Sequence, residues 1–187
     1  MRGRPVAVAI TGGIAAGKSE ALAAFARHGA AVASSDDVVH RLLAGDPDVR
    51  DAIRARWGDE AVDDRGRIGT IVFADRGELE WLEQLLHPRT REVVDAWLAE
   101  QTAPVAVVEI PLLYETGGEQ RFDKVMVVTA PPEVRRARRG EFADREARLI
   151  PDEEKLARAD YAYVNDGSLE ELDAFVAGVV EELASSS

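Results

Sequence analysis

Short apolar runs, each stopped by glycine, proline or charge, punctuate this chain, and between them apolar residues return every three or four positions. Val6 to Ile10 is the first run. Bounded by Pro5 and Gly12 and followed at once by a helical pattern, it reads as a buried parallel strand. From Lys18 to about His28, Leu22, Phe25 and Ala26 recur at helical spacing, and Gly29 supplies a stop. Ala30 to Ala33 reads as a second strand and Asp36 to Leu43 as a helix. Asp46-Pro47 then presents a capping residue followed by proline at the first helical position.

From about Ile68 to Gln101 the residues Ile71, Val72, Leu79, Trp81, Leu82, Leu85, Leu86, Val93, Val94, Trp97 and Leu98 predict several helices, with a break at His87-Pro88. A stretch this long without a strand reads as an inserted helical region. Val105 to Ile110 and Lys124 to Thr129 are two more central strands, and Ala162 to Val164 a short last one. Ser168-Leu-Glu-Glu171 is a capping box ahead of a helix that sets Leu172, Phe175, Val176, Val179, Val180 and Leu183 on one face. The pattern predicts a three-layer α/β fold with a parallel sheet and helical insertions.

Composition narrows this picture. At 187 residues the chain suits one compact domain, and 46% hydrophobic with 31% charged residues fits a soluble globular protein. No apolar run reaches the roughly 18 residues of a membrane span. The basic N-terminus leads straight into the first strand, so no signal peptide is expected and the expected address is cytoplasmic. With no cysteine, disulfides and thiolate metal sites are excluded. The 35 acids against 23 bases give a formal charge of −12, which argues against nucleic acid and anionic membranes as partners. Arg135, Arg136, Arg138 and Arg139 form the most basic stretch, either a solvated helix face or a phosphate-binding one.

The sharpest chemical signal is the segment Gly12, Gly13, Ile14, Ala15, Ala16, Gly17, Lys18, Ser19, which satisfies G-x-x-x-x-G-K-S/T between a predicted strand and a predicted helix. Glycines open dihedrals closed to other residues, so backbone N–H groups can point at phosphate oxygens at a helix N-terminus. Lys18 would offset charge on the β- and γ-phosphates of ATP, and the Ser19 hydroxyl would join the shell of a Mg²⁺ ion. The loop is shared by kinases, GTPases, motors and transporters. A guanine-selecting Asn-Lys-x-Asp segment is missing, and the strand ending Val108-Glu109-Ile110-Pro111 carries one acid rather than an adjacent pair. A small-molecule kinase is the reading that remains.

Beyond the loop, the chain from about residue 6 to residue 176 resembles the dephospho-coenzyme A kinase family. The resemblance rests on Thr11-Gly-Gly-Ile14 with Gly17-Lys-Ser19, Ser35-Asp36, Ile71-Val-Phe-Ala-Asp75, Leu82-Glu83, Leu86-His-Pro88 with Arg91, Pro111-Leu-Leu-Tyr-Glu115, Glu153-Glu-Lys155, Ala159-Asp160 and Asn165. It implies transfer of phosphate from ATP to the ribose 3′-hydroxyl of dephospho-CoA, with Mg²⁺ as cofactor. It also implies one P-loop kinase domain over residues 1–187. The core would span about 5–45, 103–132 and 159–184, with a helical acceptor-binding insertion at about 46–102 and a lid at about 133–158.

By that resemblance Asp36 orients or deprotonates the acceptor hydroxyl, and His87, Arg91, Pro111, Leu112, Leu113 and Glu115 bind the acceptor. Arg138, with Arg145 as second candidate, stabilises the transferring phosphoryl group. Gly12 to Ser19, Glu20 and Asn165 bind ATP. The chain departs from the family pattern at Ala15 and Ala16, at Glu20 where a hydroxyl residue is usual, at Ser34 in place of the first acid of the family's Asp-Ala-Asp motif, at Leu149 in place of glutamine, and in a shortened lid. A kinase of the shikimate or nucleoside type and a nucleotide-binding regulatory protein without turnover are the alternatives. A monomer or small homo-oligomer is expected.

Overall fold

The computed structural model describes residues 4–139 and 149–185, and these fall into two compact units, residues 1–34 with 98–187 and residues 35–97. The first is built on five parallel strands: β1 (Val6–Gly12), β2 (Ala31–Ser34), β3 (Val105–Glu109), β4 (Lys124–Thr129) and β5 (Tyr161–Val164), in the order β2-β3-β1-β4-β5. The apolar runs form central strands because both faces are covered. Val8, Ile10, Val105, Val107, Met126 and Val128 turn to one side, where they meet Ala21, Ala24 and Phe25 of helix α1 (Lys18–Arg27) and Leu172, Val176, Val179 and Leu183 of the C-terminal helix. Ala9, Val125 and Val127 alternate to the other side, against Leu113, Tyr114 and Leu156.

The second unit is helical: α2 (Ser35–Gly45), α3 (Pro47–Trp57), α4 (Asp59–Val62), α5 (Arg65–Ala74) and most of α6 (Arg76–Glu100). Asp46 caps α3 as its sequence predicts, accepting from the Val49 N–H at 2.9 Å. Glu78 joins α6 to α3, taking Arg56 Nε at 2.6 Å and Trp57 Nε1 at 2.7 Å, while Trp57 and Trp81 meet edge to face at 4.9 Å. The break predicted at His87-Pro88 is not there. Helix α6 runs through Pro88 for 25 residues, because Leu82 and Leu86 before the proline and Val94 after it are buried on one continuous helix. That burial outweighs one missing backbone hydrogen bond.

Among its described residues the first unit also carries α7 (Pro132–Arg139), α8 (Asp152–Arg158) and α9 (Leu169–Ser185). At the head of α9 the capping box forms as expected, with the Ser168 N–H on Glu171 Oε2 at 2.7 Å and the Glu171 N–H on Ser168 Oγ at 3.2 Å. Helices α7 and α8 flank the segment containing Arg145, which lies outside the described residues. Register fixes what the strand ends share: Ile10 lies beside Glu109, Glu109 beside Ser34, and Gly12 beside Val128. The carboxyl ends of β1, β2, β3 and β4 therefore open on one edge, where ligands bind in sheets of this class.

Candidate active site

The loop between β1 and α1 is held by its own backbone and by side chains from the far end of the chain. Gly12 has φ 141°, Ala15 φ 57° and Gly17 φ 101°. A Cβ on Gly12 would overlap the Val128 carbonyl oxygen, and one on Gly17 the Asn165 side-chain amide, so those two glycines are required by close approach as well as by dihedral. Ala15 is the one described residue other than glycine with positive φ, a local strain placed inside the loop.

Lys18 folds back over the loop, its Nζ donating to Gly13 O at 2.9 Å and to Gly12 O at 3.3 Å. Ser19 is exposed, and its Oγ lies 3.4 Å from Glu109 Oε2 at the end of β3. Asn165 is buried at 3% exposure, with its Nδ2 donating to Ala16 O at 2.9 Å. Arg138 reaches the same place, its Nη1 at 3.3 Å from both the Ala15 and Ala16 carbonyls and its Nη2 at 3.4 Å from Asn165 O. Both side chains thus hold the loop by its Ala15 and Ala16 carbonyls. Ile14 is half-buried and Ala16 fully buried, whereas Glu20, in the first turn of α1, is exposed.

A strand, a glycine loop opening a helix, an ammonium folded onto that loop and a hydroxyl paired with a strand-end carboxylate together suit a nucleotide polyphosphate. The family model for dephospho-CoA kinase matches residues 6–171. A dephospho-CoA kinase of Mesorhizobium japonicum is 40% identical over 191 residues, covering 95% of this chain and 96% of the relative. The chain belongs to the dephospho-CoA kinase family. It is accordingly a member of a family of phosphate-transferring enzymes. A dephospho-CoA kinase structure from Campylobacter jejuni superposes with TM-score 0.73 at 26% identity, covering 97% of this chain and 98% of that one. A Thermus thermophilus protein does so at TM-score 0.82 and 32% identity, over 97% and 99%.

The remaining family positions fall in two places. The turn after β3 holds Pro111 half-buried, Leu112 at the surface, Leu113 and Tyr114 buried, and Glu115 largely buried. Thr11 Oγ1 donates to Pro111 O at 3.2 Å, tying that turn to the start of the loop. Glu115 Oε1 accepts the Ile150 N–H at 3.1 Å and lies 2.7 Å from the ammonium of Lys155, which is fully buried. Glu115 is therefore an anchored acid rather than a free surface one. Burial pushes the Tyr114 phenol above its ordinary pKa, and the Arg158 guanidinium, 4.2 Å over the ring, opposes that shift.

In the helical unit Asp36 and Asp37 are both exposed in the first turn of α2, two and three residues beyond the end of β2. His87 and Arg91, four residues apart on unbroken α6, share a helix face, with His87 half-buried and Arg91 exposed. The imidazole does not start a helix.

Sequence reasoning assigns no place in the site to Glu109, Thr129 and Asp152 of the first unit, and to Arg135 only a share in a basic stretch that is either solvated or phosphate-binding. Glu109 was noticeable only as a single acid at a strand end. Thr129, Arg135 and Asp152 assemble beside Gly13: Thr129 Oγ1 donates to Asp152 Oδ2 at 2.6 Å, and Arg135 Nη1 lies 3.8 Å from the same oxygen. Their spacing in sequence follows no motif. Only the parallel order of β1 and β4 brings them together.

Proposed function

We propose that this protein transfers the γ-phosphoryl group of ATP to the ribose 3′-hydroxyl of dephospho-CoA, giving CoA and ADP, the final step of CoA synthesis. The observation that carries this reading is Lys18 and Ser19 at the mouth of the loop with Glu109 beside them, in a chain whose family match runs nearly end to end. Gly12 to Ser19 cradle the phosphates and Lys18 offsets their charge. Asp36 accepts the proton of the 3′-hydroxyl as that oxygen bonds to the γ-phosphorus and the bond to the ADP oxygen breaks. His87 and Arg91 on α6, with Pro111 to Glu115 after β3, bind the acceptor. In the latter group Leu112 offers the exposed surface, while Leu113 and Glu115 hold the turn. Arg138 and Arg145 serve the transferring phosphoryl group, and Asn165 closes the adenine side of the loop.

The donor set fits Mg²⁺. Ser19 Oγ and Glu109 Oε2 are hard oxygens within 3.4 Å, and no cluster of three or more His, Cys, Asp or Glu side chains suited to a metal occurs among the described residues. Mg²⁺ typically takes one or two protein oxygens and completes its octahedron from phosphates and water. When bound it would neutralise charge on the β- and γ-phosphates.

We read the whole chain as one kinase domain whose helical unit serves the acceptor, working in the cytoplasm as a monomer or small homo-oligomer. No helix among the described residues is long and apolar enough to cross a membrane. An acceptor panel at fixed Mg-ATP, with ADP release as the readout, tests the substrate. Dephospho-CoA should be turned over far faster than shikimate or nucleosides. Asp36→Asn should lower kcat by about 100-fold or more with little change in the KM for ATP. A preference for another acceptor, or full activity in Asp36→Asn, contradicts the reading.

A further inference from the structure

Helix α7 presents two arginines to the phosphate loop, three residues apart and so on one helix face. Arg138 donates to the Ala15 and Ala16 carbonyls. Arg135 is the other, and it differs in being only 9% exposed. Its Nη1 stands 2.8 Å from where a Cβ of Gly13 would be, and Asp152 Oδ2 stands 3.0 Å from the same point. The space beside Gly13 is therefore filled by a guanidinium and a carboxylate, not by solvent. The carboxylate is itself fixed, since Thr129 at the end of β4 donates to it at 2.6 Å, and it opens α8. Lys155, one turn further along α8, is fully buried against Glu115, which anchors α8 independently.

We propose that Arg135 and Asp152 act as a single strut that holds the Gly12-Gly13 turn in its phosphate-binding shape, making both of them positioning residues for nucleotide binding. Arg135 does not reach the reacting atoms in this role; it acts through Gly13. A glycine-rich turn is the most deformable part of the loop, and close packing against the buried Arg135 and its half-buried partner Asp152 limits its conformations where the β- and γ-phosphates dock. The strut joins three elements that converge on the loop: α7 through Arg135, α8 through Asp152 and β4 through Thr129. This inference rests on the nucleotide site of the proposed function and not on its acceptor.

The test is a double-mutant cycle with Arg135→Gln and Asp152→Asn in the full chain, both conservative in size, and Asp152→Asn retains an acceptor for Thr129. ADP affinity is measured by calorimetry, with KM for ATP and for dephospho-CoA measured in parallel. Each single variant should weaken ADP binding and raise the KM for ATP by about tenfold, and the double variant should lose no more than the worse single one. The KM for dephospho-CoA should stay within about twofold, a split that general destabilisation would not produce. Arg135→Lys should restore part of the affinity. ADP affinity unchanged in variants that fold, or losses that add, would overturn the strut. So would tighter ADP binding in Asp152→Asn, because then the carboxylate acts by charge and not by position. Because ADP binding needs no acceptor, a protein that binds ADP normally but ignores dephospho-CoA would defeat the proposed function and leave this inference standing.

Discussion

The glycines of the phosphate loop are not equivalent, and the differences are steric. Gly12 combines φ 141° with a Cβ position that overlaps backbone, the Val128 carbonyl at the carboxyl end of the central β1–β4 pair. Backbone held in a sheet cannot yield as a side chain can. Gly12→Ala should therefore lower unfolding stability by about 2–4 kcal/mol, seen as a lower urea midpoint with an unchanged slope. A midpoint equal to wild type would show that β1 and β4 separate more easily than their register suggests. Lys155 is the second residue whose position is costly to change. Its ammonium is fully buried 2.7 Å from Glu115, whose Oε2 is buried with no hydrogen-bond partner among the described residues. Lys155→Met should destabilise by about 3–5 kcal/mol by leaving a buried carboxylate unpaired, whereas the Lys155→Met and Glu115→Leu pair should recover most of that loss. Additive losses in the same denaturation experiment would mean that the ion pair is incidental to the anchoring of α8.

At the scale of elements, helix α6 gives the clearest conflict between a local rule and tertiary packing. Pro88 has no N–H for the Gln84 carbonyl and its ring crowds that carbonyl, yet the helix continues because apolar positions on both sides of the proline are buried. Pro88→Ala should raise stability by about 1–3 kcal/mol in thermal or urea unfolding, and a loss of stability would mean that the helix is built around a kink. The same helix shows why part of the fold escaped the sequence. Strands were readable because short apolar runs buried on both faces admit few other interpretations, and the Asp46 and Ser168 caps because their side-chain bonds are local. His87-Pro88 was misread because a proline signal is local, whereas the burial that overrides it is not. The loop from Gly12 to Ser19 was readable from its spacing between a strand pattern and a helix pattern. The Thr129, Arg135 and Asp152 cluster was not, since strand order assembles it and no spacing announces it.

At the scale of the molecule, charge and titration set how the protein responds to its surroundings. The Asp123 carboxyl is lowered from its ordinary value because Arg4 hydrogen-bonds it at 2.6 Å and the Ala7 N–H at 2.9 Å, against a smaller raising effect of burial, and Asp173 is lowered by Arg27 and His28. Depressed carboxylates contribute stability that is present above their unfolded pKa and lost as pH falls through the folded one, so acid should weaken the fold below about pH 4. Tyr161 works in the opposite direction. Burial, and then its hydrogen bond to Glu182 at 2.9 Å, push the phenol up to about 12. Its contribution is complete below the unfolded pKa of about 10 and is lost as pH rises through the folded value. Wild type should therefore lose stability between about pH 10 and 12, and Tyr161→Phe should flatten that part of the profile; an identical alkaline profile in the two proteins would remove Tyr161 as its source.

The central claim concerns the bond that is made, and phosphorus NMR of the product reports it directly. With Mg-ATP and dephospho-CoA, wild-type protein should produce one new phosphomonoester resonance coupled to the ribose 3′ proton, in step with ADP, and Lys18→Ala should produce neither. ADP formation without that resonance, or a phosphate at any other position of the acceptor, would contradict the account.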